Sequence, residues 1–147
     1  MVTATGTDQS GTVITEAMIE RLVHTFYGRV RRDDLIGPIF NRQVKDWADH
    51  LAKLCAFWSS MILHSGRYNG RPLRPHLMLP LEGQHFDRWL DLFERTASET
   101  LPRYAAALFI DRARRIADSF EMSIGTQRGE IRPARHQARP LPDEGSL

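Results

Sequence analysis

The sequence has almost no cysteine and no long apolar run. Cys55 is the only cysteine among 147 residues, which excludes an internal disulfide framework and paired-cysteine metal sites. We therefore expect a cytoplasmic protein. The longest apolar run, AAALFI at residues 105 to 110, is far shorter than the roughly 18 residues that span a bilayer. The N-terminus has neither the basic nor the apolar region of a signal peptide, so no membrane association or secretion is expected.

Common catalytic motifs and a strong net charge are missing too. The sequence has no P-loop, GxGxxG, HExxH or GxSxG pattern. Lys and Arg number 20 against 18 Asp and Glu, a formal net charge of +2. The basic clusters RVRR (29 to 32) and RARR (112 to 115) have carboxylates close by, so no nucleic-acid partner is expected. Chemistry must therefore come from isolated side chains, chiefly histidine.

What is present is one domain of amphipathic helices. Gly, Ser, Thr, Pro and Arg dominate residues 1 to 13 and 125 to 147, which predicts an N-terminal and a flexible C-terminal tail around a domain at 14 to 124. Apolar residues recur at helical spacing after Thr15 and again after Asp46, both typical N-caps. The second of these helices should stop near Gly66. Two more helices follow Pro80, no strand pattern is visible, and the prediction is an all-α fold.

Gly and Pro residues separate these helices. In residues 33 to 41 we expect Gly37 and Pro38 to break the helix and form a corner that ends at Phe40, with a new helix beginning there or soon after. The segment GRYNGRPLRPHLMLP (66 to 80) cannot hold a long regular helix, and we expect a loop with one helical turn around His76.

Two of the six histidines have unusual surroundings. His76 is flanked by Leu73, Leu77 and other apolar residues, and a neutral imidazole in an apolar wall is how haem iron is held axially. A loop histidine with a satisfied ring is the plainer interpretation. His50 shares a helical face with Leu54, Phe57, Trp58 and Met61, which would line a flat apolar pocket or simply belong to the core.

Tyr27 and Trp89 each place a polar tip on the inward face of a predicted helix. A buried phenol or indole N–H requires a hydrogen-bond partner. The partner would ordinarily be protein, but a ligand bound to iron would serve equally well.

The segments FYGRVRRDDLIGPIFN, DWADHLAKLCAFW, GRYNGRPLRPHLMLP and HFDRWLDLF together strongly resemble the group III truncated haemoglobins, which are bacterial single-domain globins. The resemblance covers residues 15 to 124. It implies a two-over-two helical sandwich around haem b.

The resemblance also implies roles for particular residues. His76 corresponds to the proximal ligand of the iron, and the distal, catalytic positions correspond to Tyr27, Trp89 and His50. Phe40 corresponds to the phenylalanine that packs on the porphyrin. The cofactor-binding positions expected in all are His76 and the apolar residues Phe26, Phe40, Leu54, Trp58, Leu73 and Phe86.

These residues indicate a haem protein that binds O2, NO or related small ligands. Hydrogen-bond donors aimed at a partly negative ligand would slow its release, which favours chemistry such as conversion of NO to nitrate, or peroxide chemistry, over bulk transport. Such turnover would require an external reductase. A non-catalytic module that stores, senses or transports O2 or sulfide stays open, as does a haemless all-α interaction domain.

Overall fold

The computed structural model describes residues 5 to 7, 13 to 70 and 81 to 129. Within them the chain forms five helices and one pair of short strands. The helices are α1 (Glu16–Arg32), α2 (Gly37–Gln43), α3 (Trp47–Leu63), α4 (Gly83–Thr100) and α5 (Arg103–Gln127). The strands β1 (Thr5–Thr7) and β2 (Val13–Thr15) pair antiparallel. The all-α prediction is confirmed for the domain itself.

Helix α1 begins where its sequence predicts. The Thr15 hydroxyl accepts a hydrogen bond from the Met18 backbone N–H at 3.2 Å and satisfies one of the free donors of the first turn. One face of the helix is buried at helical spacing. Its buried residues are Ile19, Leu22, Val23, Phe26, Tyr27 and Val30.

Helix α1 ends at Arg32, and the chain turns a corner before a new helix begins, as predicted. Gly37 and Pro38 begin this short helix α2, where proline loses no hydrogen bond, and Phe40 lies inside the helix. A Cβ atom on Gly37 would lie 3.0 Å from the carbonyl oxygens of Val30 and Arg31. Only glycine therefore lets α2 start directly against the last turn of α1.

Helix α3 has the predicted start and an earlier end. The Asp46 carboxylate caps it by accepting from the Asp49 backbone N–H at 3.2 Å. The helix ends at Leu63 because His64 adopts a left-handed conformation, with φ of 57°. The predicted stop near Gly66 is thus three residues late.

The four long helices form two layers. Helix α1 packs on α3, α4 packs on α5, and α1 crosses α4 to join the layers in a two-over-two arrangement. Aromatic residues fill the centre, among them Phe26, Phe93 and Phe109, each with no exposed surface or almost none. No helix among the described residues is long and apolar enough to cross a membrane.

The strand pair was not predicted. Each strand is three residues long, too short to create the alternating pattern by which a strand is recognised in sequence. The Tyr104 hydroxyl donates to the Val13 backbone oxygen at 2.7 Å and ties β2 to the start of α5.

Candidate functional site

A cavity of about 560 Å³ lies between α2, α3, α4 and α5, with Tyr27 of α1 at its inner end. Its size is within the range of about 300 to 1,000 Å³ typical of small-molecule and cofactor sites. The walls are mainly apolar. They include Ile36, Ile39, Phe40, Val44, Leu54, Phe57, Trp58, Leu81, Phe86, Trp89, Ile116, Ala117 and Phe120.

Tyr27 is a buried residue with a polar group at this cavity, with 5% of its surface exposed. Burial raises the pKa of its phenol to about 12, while a hydrogen-bonding interaction with the Trp89 indole acts in the opposite direction. The phenol is therefore protonated at neutral pH. Among the described residues no acceptor takes the hydroxyl proton, so the O–H remains available to a ligand.

Trp89 reaches the same place from α4. Its ring stacks on Phe93 with the centroids 5.4 Å apart and meets the edge of Phe26 at 5.5 Å. Phe93 stacks in turn on Trp58, at 5.3 Å. This packing holds the indole firmly beside the phenol of Tyr27.

His50 lines the outer part of the cavity. Its ring is 6.3 Å from the Tyr27 ring and nearly perpendicular to it. Trp47, which the sequence analysis did not single out, lies 5.5 Å from His50 and 6.2 Å from Tyr27. The indole N–H of Trp47 donates to Asn41 Oδ1 at 3.2 Å, which fixes its ring.

The rim of the cavity is polar and carries both signs of charge. Lys45 and Lys53 lie there with Asp46 and Asp49, and Lys53 Nζ is 3.1 Å from Asp49 Oδ2. Lys45 is exposed. An apolar interior with cations at its mouth is suited to a flat apolar group that ends in carboxylates.

His85 lines the cavity as well. Its Nδ1 accepts from the Glu82 backbone N–H at 2.8 Å in a capping box at the start of α4. The neutral ring therefore carries its proton on Nε2 and offers no lone pair there to a metal. Helical spacing could have found His85, because it precedes Trp89 by four residues on one face.

The structure brings most of the predicted site residues together. The cavity is lined by Tyr27, Phe40, His50, Leu54, Trp58, Phe86 and Trp89. Phe26 is absent from the lining and packs edge-on against Tyr27 at 4.6 Å, so it supports the site from behind. His76 and Leu73 lie outside the described residues. The described part of the chain contains no cluster of three or more metal-ligating side chains.

Comparison with known proteins gives a consistent result. Residues 12–120 match the model of the bacterial-like globin family. The group 3 truncated hemoglobin ctb of Campylobacter jejuni is 37% identical over 113 residues, covering 74% of this chain and 89% of the relative. The crystal structure of the C. jejuni group III truncated hemoglobin, 38% identical, superposes with a TM-score of 0.69 over 74% of this chain and 89% of that one.

More distant structures share the fold. The group II truncated hemoglobin of Bacillus anthracis has a TM-score of 0.64 at 23% identity, over 72% of this chain and 84% of that one. The chain belongs to the bacterial-like globin family. Within that family its resemblance is to the group III truncated haemoglobins, as the sequence predicted.

A globin binds small gaseous ligands at a haem cofactor, and the described residues fit that group. The cavity is apolar and large enough, the exposed Lys45 at its rim offers an ammonium group to a carboxylate of haem, and the buried Tyr27 hydroxyl has no acceptor among the described residues. The apolar walls, the volume of the cavity and the polar groups at its rim and interior therefore fit haem.

Proposed function

We propose that this chain holds haem b with His76 as its axial ligand, binds O2 or NO on the side of Tyr27 and Trp89, and converts NO to nitrate. The assignment of His76 rests on the resemblance in sequence. The bound haem supplies the iron that takes the gas. Lys45 and Lys53 would hold its carboxylates at the rim, and Phe40, Leu54 and Trp58 would pack on its faces.

The Tyr27 hydroxyl is the observation that carries this proposal. It is buried, its proton stays on at neutral pH, and it has no acceptor among the described residues. A buried donor without an acceptor costs about 1 to 3 kcal/mol of stability. A ligand whose outer oxygen gains negative charge would accept a hydrogen bond from the Tyr27 hydroxyl and remove this cost.

Trp89 strengthens this donor. The interaction of its indole with the Tyr27 phenol acts to lower the pKa of Tyr27, and a partner on the phenol oxygen makes the O–H a better donor. A hydrogen bond to a charged acceptor contributes about 1.5 to 3 kcal/mol. Since about 1.4 kcal/mol is tenfold, one such bond slows release of the ligand by about tenfold to a hundredfold.

Slow release of O2 favours a reaction of the bound gas over its transport. A carrier must give up its gas, whereas a site that holds O2 until NO arrives gains from a long residence time. The overall reaction, NO plus O2 plus one electron to nitrate, consumes one electron for each NO. We propose that an external reductase supplies it.

The experiment is to measure nitrate formed from NO and O2 with a small reductant present. We expect steady turnover by the wild-type haem protein and a marked loss of turnover in Tyr27→Phe. Tyr104→Phe should not change turnover, because Tyr104 is 38% exposed and its hydroxyl donates to the Val13 backbone oxygen. Reversible binding without nitrate would instead identify a storage or sensing module. Turnover of peroxide in place of NO would reassign the substrate.

A further inference from the structure

Three neighbouring arginines form an exposed basic cluster in the described part of the chain. Most of the described arginines pair with carboxylates, for example Arg29 with Glu99 at 2.6 Å and Arg67 with Glu16 at 2.6 Å. Arg31, Arg32 and Arg42 are exposed and no described carboxylate pairs with them. All three lie where α1 ends and α2 passes beside it.

Two of these arginines line a groove. A depression of about 420 Å³ is bounded by Gly28, Arg31, Arg32 and Asn41, and we call it the basic groove. Gly28 leaves its floor open, because a Cβ atom there would meet only Arg32 Nη1, at 3.9 Å. A planar guanidinium offers paired N–H donors that match a carboxylate, so the groove has the shape and the charge to take acidic side chains.

Arg31 is held in position. Its guanidinium carbon lies 4.8 Å from the centre of the Trp47 ring. The Asn41 amide accepts from Trp47 Nε1 at 3.2 Å and donates to the Arg31 backbone oxygen at 3.0 Å. The groove wall is therefore largely ordered before a partner arrives, which lowers the entropic cost of binding.

Trp47 also connects the basic groove to the cavity. Its ring contacts the Arg31 guanidinium, and it is also a neighbour of His50 and Tyr27, at centroid distances of 5.5 and 6.2 Å. A molecule seated in the groove is thus separated from the cavity by one aromatic ring.

We propose that the basic groove is the docking site for carboxylates of an acidic electron-donor protein. This inference rests on the proposed function, in which each turnover requires one electron from outside. The donor would lose one electron, the haem held by this chain would take it up, and no bond would form or break in this chain. Charge complementarity would speed the encounter and make it sensitive to salt.

The competing explanation is structural. Basic residues in the last turn of a helix offset the partial negative charge at its C-terminus, and Arg29, Arg31 and Arg32 all lie in the last turn of α1. That role predicts an effect of substitution on stability alone. It predicts none on affinity for a donor.

The test measures the Kd for a plant-type [2Fe–2S] ferredoxin, a small acidic electron carrier, by titration calorimetry with the haem-loaded chain at low and at moderate salt. Arg32→Glu reverses one charge in the groove. Arg103→Glu makes the same change in net charge at an exposed arginine at the start of α5 that no described carboxylate pairs with. Gly28→Leu fills the floor of the groove and leaves the charges in place.

We expect Arg32→Glu to weaken binding by about tenfold and Arg103→Glu by less than about twofold. Gly28→Leu should also weaken binding, and added salt should weaken binding to the wild-type chain. Equal losses in the two charge variants would overturn the proposal, as would wild-type affinity in Gly28→Leu or no binding at low salt. Thermal unfolding of each variant separates these effects from the structural role.

Failure of the proposed function can be distinguished from failure of the docking site. Nitrate formation by the wild-type protein is measured with photoreduced lumiflavin, a small carrier that requires no docking. Nitrate with lumiflavin but groove-independent ferredoxin binding would overturn the docking site alone. Groove-dependent binding without nitrate under either reductant would overturn the proposed function and leave the docking site supported.

Discussion

Arg88 and Asp33 form a charged pair that joins the end of α1 to α4. Arg88 Nε and Nη2 both lie 2.6 Å from Asp33 Oδ1. The other carboxylate oxygen, Oδ2, accepts from the backbone N–H groups of Leu35 and Ile36, each at 3.0 Å. The Asp33 side chain is 3% exposed, so the carboxylate is buried and its hydrogen bonds are protein ones.

This pair joins the two helices that carry Tyr27 and Trp89. Tyr27 is on α1, which Asp33 caps, and Trp89 directly follows Arg88 on α4. The pair therefore helps to fix the position of α1 relative to α4. Neither Asp33 nor Arg88 lines the cavity.

Replacing Asp33 should destabilise the fold. Asp33→Asn removes the charge that Arg88 faces, and we expect a loss of about 1 to 2 kcal/mol in the free energy of unfolding, moderated because solvent screens the half-exposed guanidinium. Asp111→Asn, at an aspartate whose side chain is 44% exposed, is the matched control and should cost less than about 1 kcal/mol. Urea denaturation measures both, and equal losses would contradict this role.

The contribution of Asp33 should depend on pH. Burial would raise the pKa of this carboxyl, but hydrogen bonds from Arg88, Ile36 and Leu35 outweigh burial and lower it below 3.8. A lowered folded-state pKa gives stability that is present above the unfolded pKa and is lost as pH falls through the folded one. The difference in the free energy of unfolding between the wild type and Asp33→Asn should therefore decrease as the pH falls below 3.8. A difference that persists in acid would contradict this assignment.

Tyr27 should titrate late. Burial raises the pKa of its phenol from 10.0 to about 12. A spectrophotometric titration of tyrosinate should therefore show a step near pH 12 that Tyr27→Phe removes. Because the folded-state pKa is raised, the contribution of Tyr27 to the free energy of unfolding is complete below pH 10.0 and is lost as pH rises through about 12. If Tyr27→Phe removed a step near pH 10.0 instead, the phenol would not be buried as described.

His50 should control entry more than retention. It lines the outer part of the cavity, and its ring contacts Trp47 and Tyr27 edge-on. We expect His50→Ala to raise the association rate of CO several-fold, because the smaller side chain widens the path, and to leave dissociation nearly unchanged. Flash photolysis measures the association rate. His24→Ala, at an exposed position of α1, is the control, and a larger change in dissociation would make His50 a direct donor to the ligand.

His76 should be required for the haem spectrum. His76→Ala removes the proposed axial imidazole, so the purified variant should lose the Soret band or show it strongly shifted. Added free imidazole should restore a wild-type-like spectrum by taking the vacated position. His24→Ala should have no effect, and an unchanged Soret band in His76→Ala would assign the iron to another ligand.

The sequence predicted the helices well because their signals are local. Thr15 and Asp46 cap α1 and α3 as expected, and the apolar spacing identified the buried face of α1. Local patterns also have limits. Gly37 and Pro38 begin a helix whose position depends on close contact with the preceding one, which no local pattern reveals.

Parts of the site could not be predicted because they depend on contacts between distant segments. Trp47 contacts Tyr27 only once α3 is placed against α1. The residues next to Trp47 in sequence therefore give no sign that it belongs to the site. Phe26 stays a predicted cofactor contact, but the sequence could not show that it packs edge-on against Tyr27 outside the cavity lining. The pairing of Arg88 with Asp33 spans 55 positions of sequence and was likewise invisible.

The rate at which O2 leaves the ferrous protein tests the central claim most directly, which is that the Tyr27 hydroxyl donates to the bound gas. Stopped-flow measurement of the wild type, Tyr27→Phe and the control Tyr104→Phe gives the effect of the Tyr27 hydroxyl on the rate of O2 release. We predict release from Tyr27→Phe that is about tenfold faster or more, with Tyr104→Phe unchanged. Equal O2 release from the wild type and Tyr27→Phe would contradict the account.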